Sequence, residues 1–269
     1  MANGDIRSDF AALAASLRAY VEWHRESGTD GFPRSAERTA RQPAVGETRS
    51  AALPVSPVAP ISPVAPAAAS PAISDRAAAR LPELAREVAG CIRCGLATGR
   101  RQTVFARGSA EARLCFVGEA PGAEEDEQGL PFVGRAGQLL DRMIGAMGLS
   151  PEDDVYVCNI VKCRPPGNRR PEPEEIATCI PYLHEQLSVV QPRVIVALGN
   201  TAVGALLDTK IGITKLRGQW KLYRGQTLVM PTYHPSYLLR PSPQQTEAKR
   251  QTWQDLQLVM KELGLPDRP

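Results

Sequence analysis

The chain holds six cysteines, and four of them have types and spacing suited to holding a metal centre. Cys91 and Cys94 form a CxxC pair; Cys163 opens an Arg- and Pro-rich loop, and Cys179 lies in the helix predicted after it. Four gathered thiolates hold either a structural zinc or an iron–sulfur cluster, and spacing alone supports both. Cys115 and Cys158 differ, because each sits inside an apolar run and reads as a small core residue. A second chemical feature is the turn Gly118-Glu119-Ala120-Pro121-Gly122. Its glycines let backbone pass close to a ligand, Pro121 fixes φ, and Glu119 supplies a carboxylate. Beyond an acidic loop, Phe132 stands between Pro131 and Val133-Gly134, an aromatic held at two stiff points. Turn and ring together make a slot for a flat ring.

These residues need elements to position them. The apolar run Leu114 to Val117 reads as a parallel strand buried on both faces, and in an open α/β sheet ligands bind where such strands end. Val155 to Val161, Arg193 to Gly199 and Thr227 to Pro231 read as three further strands, the last delivering Tyr233-His234-Pro235-Ser236. Helices are predicted from Ser74 into the CxxC pair, from Arg135, from Glu174 to Val190, through Leu207, and from Gln244 to Leu263. Gly218 to Gly225 reads as a short edge hairpin. Strands alternating with helices predict a three-layer α/β/α sandwich around a mostly parallel four-stranded sheet.

The N-terminal part is different in kind. Residues 10 to 25 have helical composition, and a Pro/Ala/Ser-rich tract with Pro54, Pro57, Pro60, Pro63, Pro66 and Pro71 follows. Such a tract buries no core and is expected to be a disordered, extended spacer; thirty such residues reach on the order of 90 Å. Residues 1–80 are therefore expected to form an arm, able to dock a protein partner, and 81–265 the catalytic domain. A hydrophobic share of 43% is ordinary for a globular protein, and a net charge of +3 permits nucleic-acid binding without demanding it. The start MANGDIRSDF lacks a basic-then-apolar signal and no long apolar run exists, so a cytoplasmic protein with reduced cysteines is expected, without membrane contact and monomeric.

Four stretches, GEAPGAEED (118 to 126), GLPFVGRAGQLL (129 to 140), NIVKCRPPGNRRPEPEE (159 to 175) and YHPS (233 to 236), resemble the uracil-DNA glycosylase superfamily, most closely its family 4. The likeness spans Leu81 to Leu263. It implies that Cys91, Cys94, Cys163 and Cys179 ligate a [4Fe–4S] cluster, with zinc as the alternative, and that the partner is uracil-containing DNA. The activity implied is monofunctional hydrolysis of the uracil N-glycosidic bond, leaving an abasic site and initiating base excision repair.

The resemblance also distributes roles. Phe132 would stack the extruded base, and Asn159, with an amide donor and acceptor, would face uracil O4 and N3–H together. His234 would donate to uracil O2 as charge builds on the departing base. Glu119 would stabilise the cationic sugar and orient water; Ala120 stands where family 1 carries an aspartate, so water activation by that residue is absent and leaving-group stabilisation carries more of the reaction. Glu125 or Asp126 would wall off the uracil C5 position. Tyr237-Leu238-Leu239-Arg240 would supply a wedge, Leu238, and a phosphate contact, Arg240, with Ser236, Arg164, Asn168 and Arg169 as further DNA contacts. The alternative is a non-catalytic or covalently trapping uracil-DNA-binding module. A related trapping group ends its basic loop in histidine, whereas residues 164–171 here contain none.

Overall fold

The computed structural model describes residues 71–267. The helix expected over residues 10–25 and most of the Pro-rich tract lie outside the described residues. Helix α1 (Pro71–Ala89) begins three residues before its predicted start, Pro71 taking a first-turn position where its missing N–H costs nothing.

Six strands form one sheet: β1 (Ala106–Gly108), β2 (Leu114–Gly118), β3 (Val155–Asn159), β4 (Val194–Leu198), β5 (Lys221–Tyr223) and β6 (Thr227–Thr232), in the order β1-β3-β2-β4-β6-β5. The four expected strands are β2, β3, β4 and β6, and they pair in parallel. The count is six rather than four because two three-residue strands close the edges antiparallel, β1 on β3 and β5 on β6. The β5–β6 pair is the expected hairpin; β1 is too short to carry a period. Residues of β2, β3 and β4 are buried throughout, as a sheet covered on both faces requires.

Alternation along β2 splits the core in two. Cys115 and Val117 face one apolar layer with Leu84 of α1, Leu183 of α4 (Pro173–Val190) and Val203 of α5 (Gly199–Leu207). Leu114 and Phe116 face the other, with Leu140 and Ile144 of α3 (Arg135–Ala146) and Leu256, Val259 and Met260 of α8 (Gln245–Leu263). The acidic loop contains a short helix, α2 (Ala123–Gln128), whose first turn holds Glu124, Glu125 and Asp126, where the helix dipole favours carboxylates. Two further short helices, α6 (Ile213–Leu216) and α7 (Pro235–Leu238), flank the ends of β5 and β6. The chain runs from β2 outward to β3, then crosses back to β4 on the other side. This reversal leaves a crevice beyond the carboxyl ends of β2 and β4, the place where open α/β sheets bind ligands.

Candidate active site

Gly118, the last residue of β2, fixes the centre of the site. A Cβ there would lie 2.4 Å from Phe132 Cζ and 2.4 Å from Asn159 Oδ1, so two side chains from distant segments meet over a position that tolerates only hydrogen. Asn159 is brought there by register, since it pairs with Gly118 at the end of β3. Its side chain is 2% exposed, and Oδ1 has no hydrogen-bond partner among the described residues. An unpaired buried acceptor costs roughly 1–3 kcal/mol, which a ligand N–H would recover.

Phe132 is held in a left-handed backbone conformation, φ 58°, which costs a non-glycine residue on the order of 1 kcal/mol or more. Two features impose it. A Cβ at Gly137 would sit 1.8 Å from the Phe132 carbonyl oxygen, so α3 can start under this loop only with glycine there. The Glu125 carboxylate accepts the N–H groups of Gly122 (3.0 Å), Val133 (3.0 Å) and Gly134 (2.9 Å), tying the turn after β2 to the Phe132 loop. The Phe132 ring then stacks on His234, with centroids 5.7 Å apart and planes at 30°.

His234 leaves β6 as the cap of α7. Its Nδ1 accepts the Ser236 N–H at 3.1 Å and lies 2.8 Å from the Ser236 hydroxyl. A nitrogen that accepts from a backbone N–H carries no proton, so the neutral ring bears its hydrogen on Nε2. Desolvation lowers its pKa to about 4; the Glu125 charge pulls it back up and Arg240 pushes it down. The imidazole is therefore an uncharged Nε2–H donor at neutral pH.

Glu119 accepts a hydrogen bond from the Thr201 hydroxyl at the start of α5. Both line a cavity of about 440 Å³, whose wall also holds Ala120, Arg170, His234, Ser236 and Arg240. That volume lies within the roughly 300–1,000 Å³ of small-molecule sites. Phe132 and Asn159 stand at the inner corner behind His234, beside the open cavity rather than on its wall.

Four of the expected site residues are engaged within the fold. Leu238 is 2% exposed, turned from α7 into the fold; Tyr237 beside it is 41% exposed and packs on Tyr233 at 5.1 Å. Arg169 donates twice to the Glu175 carboxylate, at 2.9 and 2.7 Å, and serves as a staple of its own loop. Glu125 is fixed by three backbone donors between the turn and the Phe132 loop, near enough to His234 to act on its charge, and Asp126 is buried and accepts from the Arg101 N–H at 3.0 Å. Of the other basic-loop candidates, Arg164 bonds Asn168 at 2.7 Å. Thr201, Arg170 and Gly137 were missed by sequence reasoning. Thr201 lies in the first turn of α5, Arg170 is one of several arginines in its stretch, and nothing local marks Gly137 as lying under Phe132.

The four cysteines Cys91, Cys94, Cys163 and Cys179 line one small cavity with Arg93, Arg100, Lys162 and Tyr182. Arg100 donates to Cys163 Sγ at 3.2 Å, and the Lys162 N–H donates to Cys179 Sγ at 3.3 Å. Among the described residues no three His, Cys, Asp or Glu side chains group closely enough to hold a single metal ion.

Comparison with known proteins agrees with this geometry. Residues 105–257 match the family described as the Uracil DNA glycosylase superfamily. The type-4 uracil-DNA glycosylase of Thermotoga maritima is 49% identical over 158 residues, covering 58% of this chain and 82% of that protein. The type-4 enzymes of Sulfurisphaera tokodaii and Saccharolobus solfataricus are 42% and 44% identical, covering 59% and 60% of this chain and 76% and 77% of their own lengths. With a switch-point crevice, a glycine-seated Phe132–Asn159 corner and a matching stretch that contains both, the chain belongs to the uracil-DNA glycosylase superfamily, in its type-4 group.

Proposed function

We propose that the protein is a monofunctional uracil-DNA glycosylase that extrudes uracil from DNA, hydrolyses its N-glycosidic bond and so begins base excision repair. The observation that carries this is the buried, unpartnered Asn159 Oδ1 beside Phe132 and the neutral His234. Uracil offers N3–H to that oxygen and O4 to the amide NH₂; cytosine offers the reverse pattern and would leave both groups unpaired. Two ring contacts at roughly 3.5 Å each need about 7 Å, more than the spacing between Phe132 and His234. The base therefore stacks on Phe132 and meets the imidazole at its edge, where Nε2–H donates to O2.

As the bond breaks, negative charge gathers on O2 and positive charge on the sugar. A donor aimed at developing charge in a dry site is worth about 2.7–4 kcal/mol. Glu119, held through one oxygen by Thr201, has the other free to face the sugar and a water. Ala120 offers no second carboxylate, so leaving-group stabilisation by His234 carries most of the rate. On the DNA side, Tyr237 is the exposed side chain that fills the vacated stack, and Arg170 and Arg240 at the cavity mouth contact phosphates.

The four cysteines share one cavity, where N–H donors from Arg100 and Lys162 offset thiolate charge, and this donor set fits a [4Fe–4S] cluster, with zinc as the alternative. A cluster bound there would cross-link the segment after α1, the Arg/Pro loop and α4 at four points. An oligonucleotide with a single uracil tests the reading: abasic sites appear with uracil but not with thymine, while intact uracil after incubation with iron-replete protein would refute it.

A further inference from the structure

Lys162 is 1% exposed, an amine with no access to water in a domain where nearly every other cation reaches the surface. Its Nζ donates to the Asn159 carbonyl oxygen at 2.7 Å and to Gln186 Oε1 at 2.5 Å. Gln186 is itself fixed, its amide donating to the Tyr156 hydroxyl at 2.9 Å and the Phe105 carbonyl at 3.2 Å. The backbone of the same lysine faces the other way: its N–H holds Cys179 Sγ, and the next residue is Cys163, which Arg100 holds. Between these ends, the Ile160 and Val161 N–H groups bond the carbonyls of Gly118 (2.9 Å) and Glu119 (3.2 Å), continuing the ladder beside the catalytic turn.

One residue thus touches both centres. Its Nζ holds the carbonyl of the residue whose amide reads the base, and its N–H holds one of the four thiols, with a second on the next residue. An apolar side chain of similar volume would satisfy packing alone without burying an amine, so packing does not explain the lysine. Resting on the glycosylase reading above, we infer that Lys162 is a positioning residue that couples the four-cysteine centre to the Asn159 carboxamide, so that disturbance at the thiols is felt as weaker recognition of uracil.

Lys162→Met tests this through a pattern that a merely structural role does not produce. In iron-replete protein the variant retains its iron and visible absorbance, and kcat/KM for uracil excision falls about 10-fold, the scale typical of outer-shell partners, mostly through KM. In an Asn159→Ala background the same substitution has no further effect, because the amide it positions is gone. Equal losses in both backgrounds, or no loss in either, overturn the inference. Should Lys162→Met fail to fold or hold iron, amide hydrogen exchange on the wild-type holoprotein decides. Free uracil then slows exchange at Val161 and Lys162 and at Cys91 to Cys94, whereas protection confined to residues 118–122 and 132–134 overturns it. This second experiment needs no turnover, so failure of the glycosylase reading and failure of the coupling are told apart.

Discussion

On the function proposed above, His234 and Asn159 divide the chemistry at the residue scale, one acting on the leaving base and the other on its identity. His234→Ala removes the donor to O2, and single-turnover excision should drop about 10²–10³-fold, the usual cost of one such donor. Because desolvation holds its pKa near 4, below the ordinary 6.5, the imidazole stays neutral through the physiological range. The rate profile should therefore show no inflection near pH 6.5; a step there would mean that the imidazolium is the working form. The sign for stability follows from the same shift. Between about 6.5 and 4 the unfolded chain binds the proton more readily, so His234's contribution is complete above 6.5 and lost as pH falls toward 4. Melting temperature measured from pH 7 to 4 should fall less steeply in His234→Ala than in the wild type.

Among the elements, the starts of α3 and α7 do most of the positioning. Gly137→Ala places a methyl against the Phe132 carbonyl, so the loop must shift; we expect a loss of about 1–3 kcal/mol in denaturant unfolding together with weakened uracil binding. Within α7, Leu238→Ala should cost about 2–5 kcal/mol of stability as a core truncation. Tyr237→Ala should leave stability nearly unchanged and slow excision from duplex more than from single-stranded DNA, which paired assays on the two substrates measure. Leu238 and Tyr237 show where sequence reading stops. The order of types in Tyr-Leu-Leu-Arg marks a wedge, but which residue faces out depends on how α7 docks, and docking is a tertiary fact. The pairing of Arg169 was hidden for the same reason, since its bidentate partner Glu175 is chosen by the path of the Arg/Pro loop. By contrast, the four parallel strands and the convergence of Phe132, Asn159 and His234 were legible. Unbroken apolar runs specify strands buried on both faces, and turn glycines with stiff flanks specify where strands end. Thr201 and Lys162 were not legible, because their partners Glu119 and Asn159 meet them only through the crossover and the turn of the folded chain.

For the whole molecule, the sheet's reversal between β2 and β4 gathers the turn carboxylate, Thr201 in the first turn of α5 and the residues that follow β6 around one crevice, while the four cysteines line a second, smaller cavity. On the proposed function, catalysis is expected to need the portion matched to the superfamily, residues 105–257, together with α1 and the CxxC segment. Protein lacking residues 1–70 should therefore excise uracil at the wild-type rate in the same oligonucleotide assay, and a loss beyond a few-fold would give that arm a direct part in the reaction. Among the described residues no helix is long and apolar enough to cross a membrane. The central claim, that the amide of Asn159 reads the extruded base, is tested most directly by single-turnover excision with Asn159→Asp on matched uracil and cytosine oligonucleotides. The substitution replaces the NH₂ that faces O4 with an acceptor, which suits the cytosine amino group instead. The uracil-to-cytosine rate ratio should fall at least about 100-fold, the discrimination available when a buried donor and acceptor are mispaired; an unchanged ratio would contradict the account.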